Sequence, residues 1–131
     1  MCSRVLFISG RPSDARLLSR MLRQLPLAID YVPNLQAART KLNQQEYAVV
    51  LTEAALPDGK WLDVLHLVRD STQEPEVIVT DPVADAQFWS EALNLGAYDL
   101  LAQPFYEPEV RRILSNACTR VVSRPRSMTA V

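Results

Sequence analysis

Val5-Leu6-Phe7-Ile8, then Ser9-Gly10-Arg11, then Pro12-Ser13-Asp14-Ala15-Arg16-Leu17-Leu18: an unbroken apolar run passes through a short loop into a stretch that opens with proline. A run that is apolar at every position suits a strand buried on both faces, as in a parallel sheet covered by helices. Proline is tolerated in a first helical turn, where its missing N–H has no intrahelical partner. Leu17, Leu18, Met21, Leu22 and Leu25 then repeat as one helix face. The same alternation recurs down the chain. Ala28–Val32, Tyr47–Leu51, Val77–Thr80 and Tyr98–Ala102 read as four more strands. Between them Asn34 starts a helix with Leu35, Ala38 and Leu42, and the Pro57-Asp58-Gly59 turn leads into Trp61, Leu62, Leu65 and Val68. Phe88, Ala92 and Leu95 form a fourth helix face closed by Gly96, and Val110, Ile113, Leu114 and Ala117 form a fifth. Such β-α units need right-handed crossovers. The expected fold is therefore α/β, a doubly wound five-stranded parallel sheet with its chemistry at the carboxyl ends of the strands.

Bulk properties bound the function. A chain of 131 residues has room for one core. We expect the domain over residues 1–121, with residues 122–131, including Ser123-Arg124-Pro125-Arg126-Ser127, as a flexible basic tail or truncated linker. Apolar residues at 48% and charged residues at 22% exclude the composition of a disordered chain. A formal net charge of −1 leaves no global attraction for nucleic acid or anionic membrane, so neither is an expected partner of this chain alone. Cys2 and Cys118, near opposite ends, do not make a disulfide framework; reduced thiols and a cytoplasmic location are expected. No apolar run approaches the roughly 20 residues of a membrane span. With three glycines in all, neither the Rossmann nor the P-loop phosphate cradle can be written.

Several segments together resemble the receiver domain of two-component response regulators, over about residues 4–120. Val5-Leu6-Phe7-Ile8 and the helix after it are similar to the first strand and helix of receivers, which carry an acidic pair between them; here that pair is Ser9-Gly10. Val49-Val50-Leu51-Thr52-Glu53-Ala54-Ala55-Leu56-Pro57 resembles the segment whose phospho-accepting Asp lies four residues before a proline; that position is Glu53. Val77-Ile78-Val79-Thr80 resembles the fourth strand with its terminal Ser/Thr. Gly96 through Phe105 resembles the fifth, where the family's Lys-Pro-Phe is Gln103-Pro104-Phe105. The resemblance implies a flavodoxin-like (βα)5 fold and, in typical members, a Mg²⁺ held by three carboxylates, an attacking Asp, and a Thr and Lys that bind the phosphoryl oxygens. It also implies a cis bond at Gln103-Pro104.

The departures define a degenerate phosphorylation pocket: Ser9, Gly10, Glu53, Thr80, Asp81 and Gln103. Ser9 and Gly10 supply no carboxylate, so no metal, cofactor or catalytic residue is expected. Asp81 adds a repelling charge, and Thr80 alone matches the family. Glu53 is either a standing anion that mimics the phosphorylated state or a remnant paired with a neighbour. Arg11 is a candidate counter-charge for Glu53 or Asp81, or a solvated loop residue. His66 is read as a helix-surface residue without a role. The resemblance places Trp89 on the family's docking and dimerisation face, made by the fourth helix, fifth strand and fifth helix, and Leu100 at its aromatic switch position. A phosphorylation-independent interaction or dimerisation module is therefore expected, with a protein partner or a second copy on that face. The alternatives are a receiver still accepting phosphate from a histidine kinase through Glu53, Asp58 or Asp81, and the regulatory domain of a longer transcription factor.

Overall fold

A computed structural model describes residues 3–70, 74–82 and 85–122. Its elements are β1 (Ser3–Ile8), α1 (Pro12–Met21), β2 (Leu27–Val32), α2 (Leu35–Gln44), β3 (Val49–Glu53), a small antiparallel pair of β4 (Ala55–Leu56) and β5 (Gly59–Lys60), α3 (Trp61–Arg69), β6 (Glu76–Asp81), α4 (Ala86–Leu95), β7 (Asp99–Ala102) and α5 (Glu107–Val122). Five strands form one parallel sheet in the order β2-β1-β3-β6-β7. The order reverses beside β1, and that switch point leaves a crevice at the carboxyl ends of β1 and β3. The fifth strand of the sequence reading is thus β7.

The unbroken apolar runs have a direct explanation in the two cores. Successive strand residues point to opposite faces. Val5 and Phe7 pack with Leu51, Ile78 and Leu101 under α1 and α5, while Leu6 and Ile8 pack with Val50, Val79 and Leu100 under α2, α3 and α4. Both alternating sets are buried, so every position is apolar. Helix starts follow the capping chemistry: Asn34 accepts the Ala37 N–H at 2.9 Å, and Asp85 accepts that of Phe88 at 2.9 Å. Gly96, at φ 120°, ends α4 in a backbone conformation that a side chain resists.

Some boundaries differ from expectation. Tyr47 precedes β3, which instead runs on to Glu53; its ring is buried in the core layer with Leu6, Ile8 and Val50, and its hydroxyl is satisfied by donating to Asp30 at 2.7 Å. Leu25 lies beyond α1, which stops at Met21. Leu95 is exposed at 41%, since it is the last residue before the Gly96 reversal and turns away from the core. Helix α5 extends to Val122, one residue past the expected domain end, and the expected tail beyond it lies outside the described residues. No helix among the described residues is long and apolar enough to cross a membrane.

Candidate functional site

The carboxyl ends of β1, β3, β6 and β7 gather most of the residues singled out from sequence. Ser9 follows β1 and is fully buried, with every polar atom engaged: its N–H donates to Val32 O at 3.1 Å, its carbonyl accepts the Tyr31 hydroxyl at 2.6 Å, and its Oγ accepts the Arg11 N–H at 3.0 Å. It shapes the turn. Gly10 brings its backbone to Glu53 and donates its N–H to Oε1 at 3.1 Å. Glu53, at the last position of β3, is therefore held by a peptide dipole.

Sequence reasoning missed two groups here. Burial first, then the charges of Glu53 and Asp14, raise the pKa of Tyr31, whose hydroxyl donates to Ser9 O. Asp14 Oδ2 is buried without a hydrogen-bond partner. Asp14 lies in the first turn of α1, where a carboxylate is favoured by the helix dipole, and that ordinary explanation hid its proximity. Only register reveals Tyr31: β2 pairs in parallel with β1, which sets Tyr31 opposite Phe7.

On the other side of Glu53, Thr80 is fully buried. Its hydroxyl donates to the Leu101 carbonyl at 2.7 Å and accepts from Gln103 Nε2 at 3.1 Å. Gln103 thus spans to the residue with which the family's Lys would cooperate, through a neutral amide. The Gln103-Pro104 bond is cis, as expected. Asp81 ends β6 beside Ala102 in the ladder.

Two readings need correction, and a third falls to one of its alternatives. Arg11 is exposed, as a solvated loop residue would be, and the contact with Glu53 comes from the Gly10 N–H. Asp58 does not serve the pocket. Its carboxylate accepts the N–H groups of Leu35 at 2.7 Å and Gln36 at 3.0 Å, because the turn after β4 carries it to the start of α2. Leu100 is 2% exposed, packed inward under α4, so it is not part of an exposed interaction face. Trp89 is exposed as expected, at 37%, while its neighbour Phe88 turns inward against Trp61 with ring centroids 6.2 Å apart. His66 is exposed and takes no part in the strand-end site.

The donor set does not fit a divalent cation of the kind the family holds. Hard cations want several carboxylate or carbonyl oxygens converging on one point. Among the described residues no three His, Cys, Asp or Glu side chains come together, and one Glu53 oxygen already accepts a hydrogen bond.

The family described as "Response regulator receiver domain" matches residues 5–115. The chain belongs to it. This receiver domain is 25% identical over 114 residues to response regulator protein PilR of Pseudomonas aeruginosa, a match covering 87% of the chain and 26% of PilR. It is 26% identical over 111 residues to transcriptional regulatory protein CitB of Klebsiella pneumoniae, covering 83% and 47%. The chain thus spans less than half the length of either relative. Among solved structures it resembles the signal receiver domain of an HD domain-containing protein from Pseudomonas fluorescens, with TM-score 0.84, 20% identity, and coverage of 95% of this chain and 100% of that one. The Francisella response regulator 1452 receiver domain gives TM-score 0.81, 18% identity, and coverage of 90% and 98%. Likeness at that identity speaks to fold alone.

Proposed function

We propose that this receiver domain works without phosphorylation, as a non-catalytic protein–protein interaction or dimerisation module in signal transduction. The observation that carries the reading is the pair of bonds on Thr80, whose hydroxyl already donates to Leu101 O and accepts from Gln103. A phosphoryl group at Glu53 would meet a committed hydroxyl and a neutral amide in place of an ammonium. Transfer itself is disfavoured: the extra methylene of Glu53 displaces the attacking oxygen by about 1 Å, and misplacement of that size costs on the order of 10²-fold in rate. Without a ligand that binds one conformation better than another, nothing shifts the domain between two states. A working surface must then be presented permanently.

Trp89 on α4 supplies such a surface, with Leu93 one turn further at 46% exposure and Tyr106 at 65% in the loop before α5. Glu91, Glu107, Glu109, Arg111 and Arg112 on the same two helices form a charged surround that sets orientation more than affinity. The proposed occupant is a second copy or another signalling protein. PilR and CitB are longer than the matched segment, which favours a second reading in which the same module is the regulatory part of a longer transcription factor.

Mass spectrometry after incubation with a small phosphoryl donor and Mg²⁺ tests the first half of the proposal. No adduct is expected; a stoichiometric one on Glu53 or Asp81 would show a working receiver. Sedimentation and denaturation of Trp89→Ala test the second half. Self-association or partner capture is expected to weaken by about 2 kcal/mol or more. If instead the fold loses the roughly 3–5 kcal/mol of a core Trp with association intact, the face is wrong.

A further inference from the structure

Helices α2 and α3 lie over the same face of the sheet and leave between them an open cavity of about 430 Å³. Leu35, Arg39 and Leu42 line it from α2, at i, i+4 and i+7, which is about 10 Å of helix at 1.5 Å rise per residue. Asp63, His66 and Leu67 line it from α3, and Asp70, the C-cap of that helix, ends the row. Part of this lining has no use within the fold. A carboxylate at a helix carboxyl end is opposed by the helix dipole, yet Asp70 stands there, and among the described residues neither it nor Arg39 enters an ion pair. Leu67 is partly buried but belongs to neither core layer among the described residues, so its apolar surface is turned to the cavity. Asp63 is different: it serves the first turn of α3, where its Oδ2 accepts the Lys60 N–H at 3.0 Å.

Shape limits what fits there. The β4-β5 turn shuts the cavity at Leu35 and Asp63: a Cβ added to Gly59 would lie 2.8 Å from Asp63 Oδ2 and 2.9 Å from Leu35 Cδ2, so that end has no room even for a methyl group. A docked helix needs a trough open at both ends, whereas a small molecule needs only a pocket of roughly 300–1,000 Å³. Charge limits it further. Arg39 presents a fork for a carboxylate, the His66 ring a further N–H donor, and Asp70 an acceptor for an ammonium. With two carboxylates against one guanidinium, a phosphate dianion is repelled and a zwitterion is not. We infer that the cavity between α2 and α3 binds a small apolar zwitterion, a free amino acid or a dipeptide, with its carboxylate on Arg39, its ammonium on Asp70 and its side chain against Leu42 and Leu67. None of the lining residues belongs to the strand-end site or to the Trp89 face, so the inference stands whether or not Glu53 accepts phosphate.

The test is isothermal titration calorimetry of the chain with L-leucine and with L-leucyl-L-leucine, which separate a free amino acid from a peptide as the source. Each is compared with its N-acetyl form, which lacks the ammonium, and its amide, which lacks the carboxylate. The zwitterion of at least one pair is expected to bind about fivefold more tightly than either capped form, since each cap removes one charged contact in a half-open site. Arg39→Gln should lose about fivefold and cease to distinguish the zwitterion from its amide; Asp70→Asn should cease to distinguish it from the N-acetyl form. Arg20→Gln on α1, across the sheet, should change binding by less than about twofold. Circular dichroism checks that each variant is folded. Absence of binding by both zwitterions at millimolar concentration, equal binding of the capped forms, or an equal loss on Arg20→Gln and Arg39→Gln would each overturn the inference.

Discussion

Thr80 is held by two bonds at the end of β6. A strand-end threonine commonly bonds its hydroxyl to backbone; here Leu101 O and Gln103 Nε2 occupy both its donor and one acceptor place in full burial. Thr80→Val keeps the shape and removes the hydroxyl, so it should destabilise the domain by about 1–3 kcal/mol, the cost of leaving buried polar groups unpaired. Urea denaturation measures this, and a neutral result would mean that the two bonds contribute nothing. Tyr47 makes a second case. Its hydroxyl donates to Asp30, which Arg4 also approaches at 3.3 Å. Burial first, then the hydrogen bond and charge of Asp30, raise its pKa far above the usual 10.0, with Arg4 pulling slightly the other way. A raised pKa means that the folded state holds its proton longer, so stability present below pH 10 is lost as pH rises beyond it. Tyr47→Phe should cost about 1–2 kcal/mol at neutral pH, and its melting point should fall less steeply than that of the parent between about pH 9 and pH 11. Parallel curves would remove Tyr47 from the alkaline transition.

Helix α2 is the element whose beginning depends most on distant chain. Its first three N–H groups, those of Leu35, Gln36 and Ala37, have no intrahelical acceptor. Asn34 takes the third and Asp58 takes the first two, from 22 or 23 residues further along. The β4-β5 turn is thereby stapled to α2, which restrains the loop following Glu53. The Leu35 N–H first, then that of Gln36, lower the pKa of Asp58 despite the opposing effect of desolvation. A lowered pKa contributes stability above the ordinary carboxylate value of 3.8, and that contribution is lost as pH falls through the lowered one. Asp58→Asn should therefore melt below the parent at about pH 7, and the gap should shrink below about pH 3. A gap that does not change with pH would assign the effect to turn geometry and not to charge.

At the scale of the molecule, two apolar layers on either side of one parallel sheet hold the strand ends in place, and the polar groups of the strand-end site are bonded from within except for Asp14 Oδ2. Ser9 is fully engaged, one Glu53 oxygen is taken, and Thr80 is doubly bonded. A ligand that binds only the native state must raise its stability. Millimolar Mg²⁺ is accordingly expected to leave the melting midpoint where a matched salt control puts it. A specific rise would mean that Asp14 and Glu53 draw in a cation in spite of these bonds.

The doubly wound sheet was legible in residue order alone, because strands buried on both faces must be apolar throughout and helices must repeat near 3.6. The strand-end positions of Ser9, Glu53, Thr80 and Gln103 followed from the same order, since connections in such a sheet bring every carboxyl strand end to one side. What those residues bond to was not legible. Asp58 looked like a spare carboxylate beside Glu53, and only the fold shows it turned to the start of α2. Arg11 looked like a counter-charge, yet the contact with Glu53 comes from the Gly10 N–H, a group that every residue except proline carries and that no residue type announces. Leu100 was set on the docking face by the family resemblance, yet it is buried in the layer under α4, while Tyr31 and Asp14 reached the site through pairing and helix entry. Periodicity is local and survives in the sequence; hydrogen-bond partners and side-chain direction depend on where distant segments meet, and that is decided when the two layers pack.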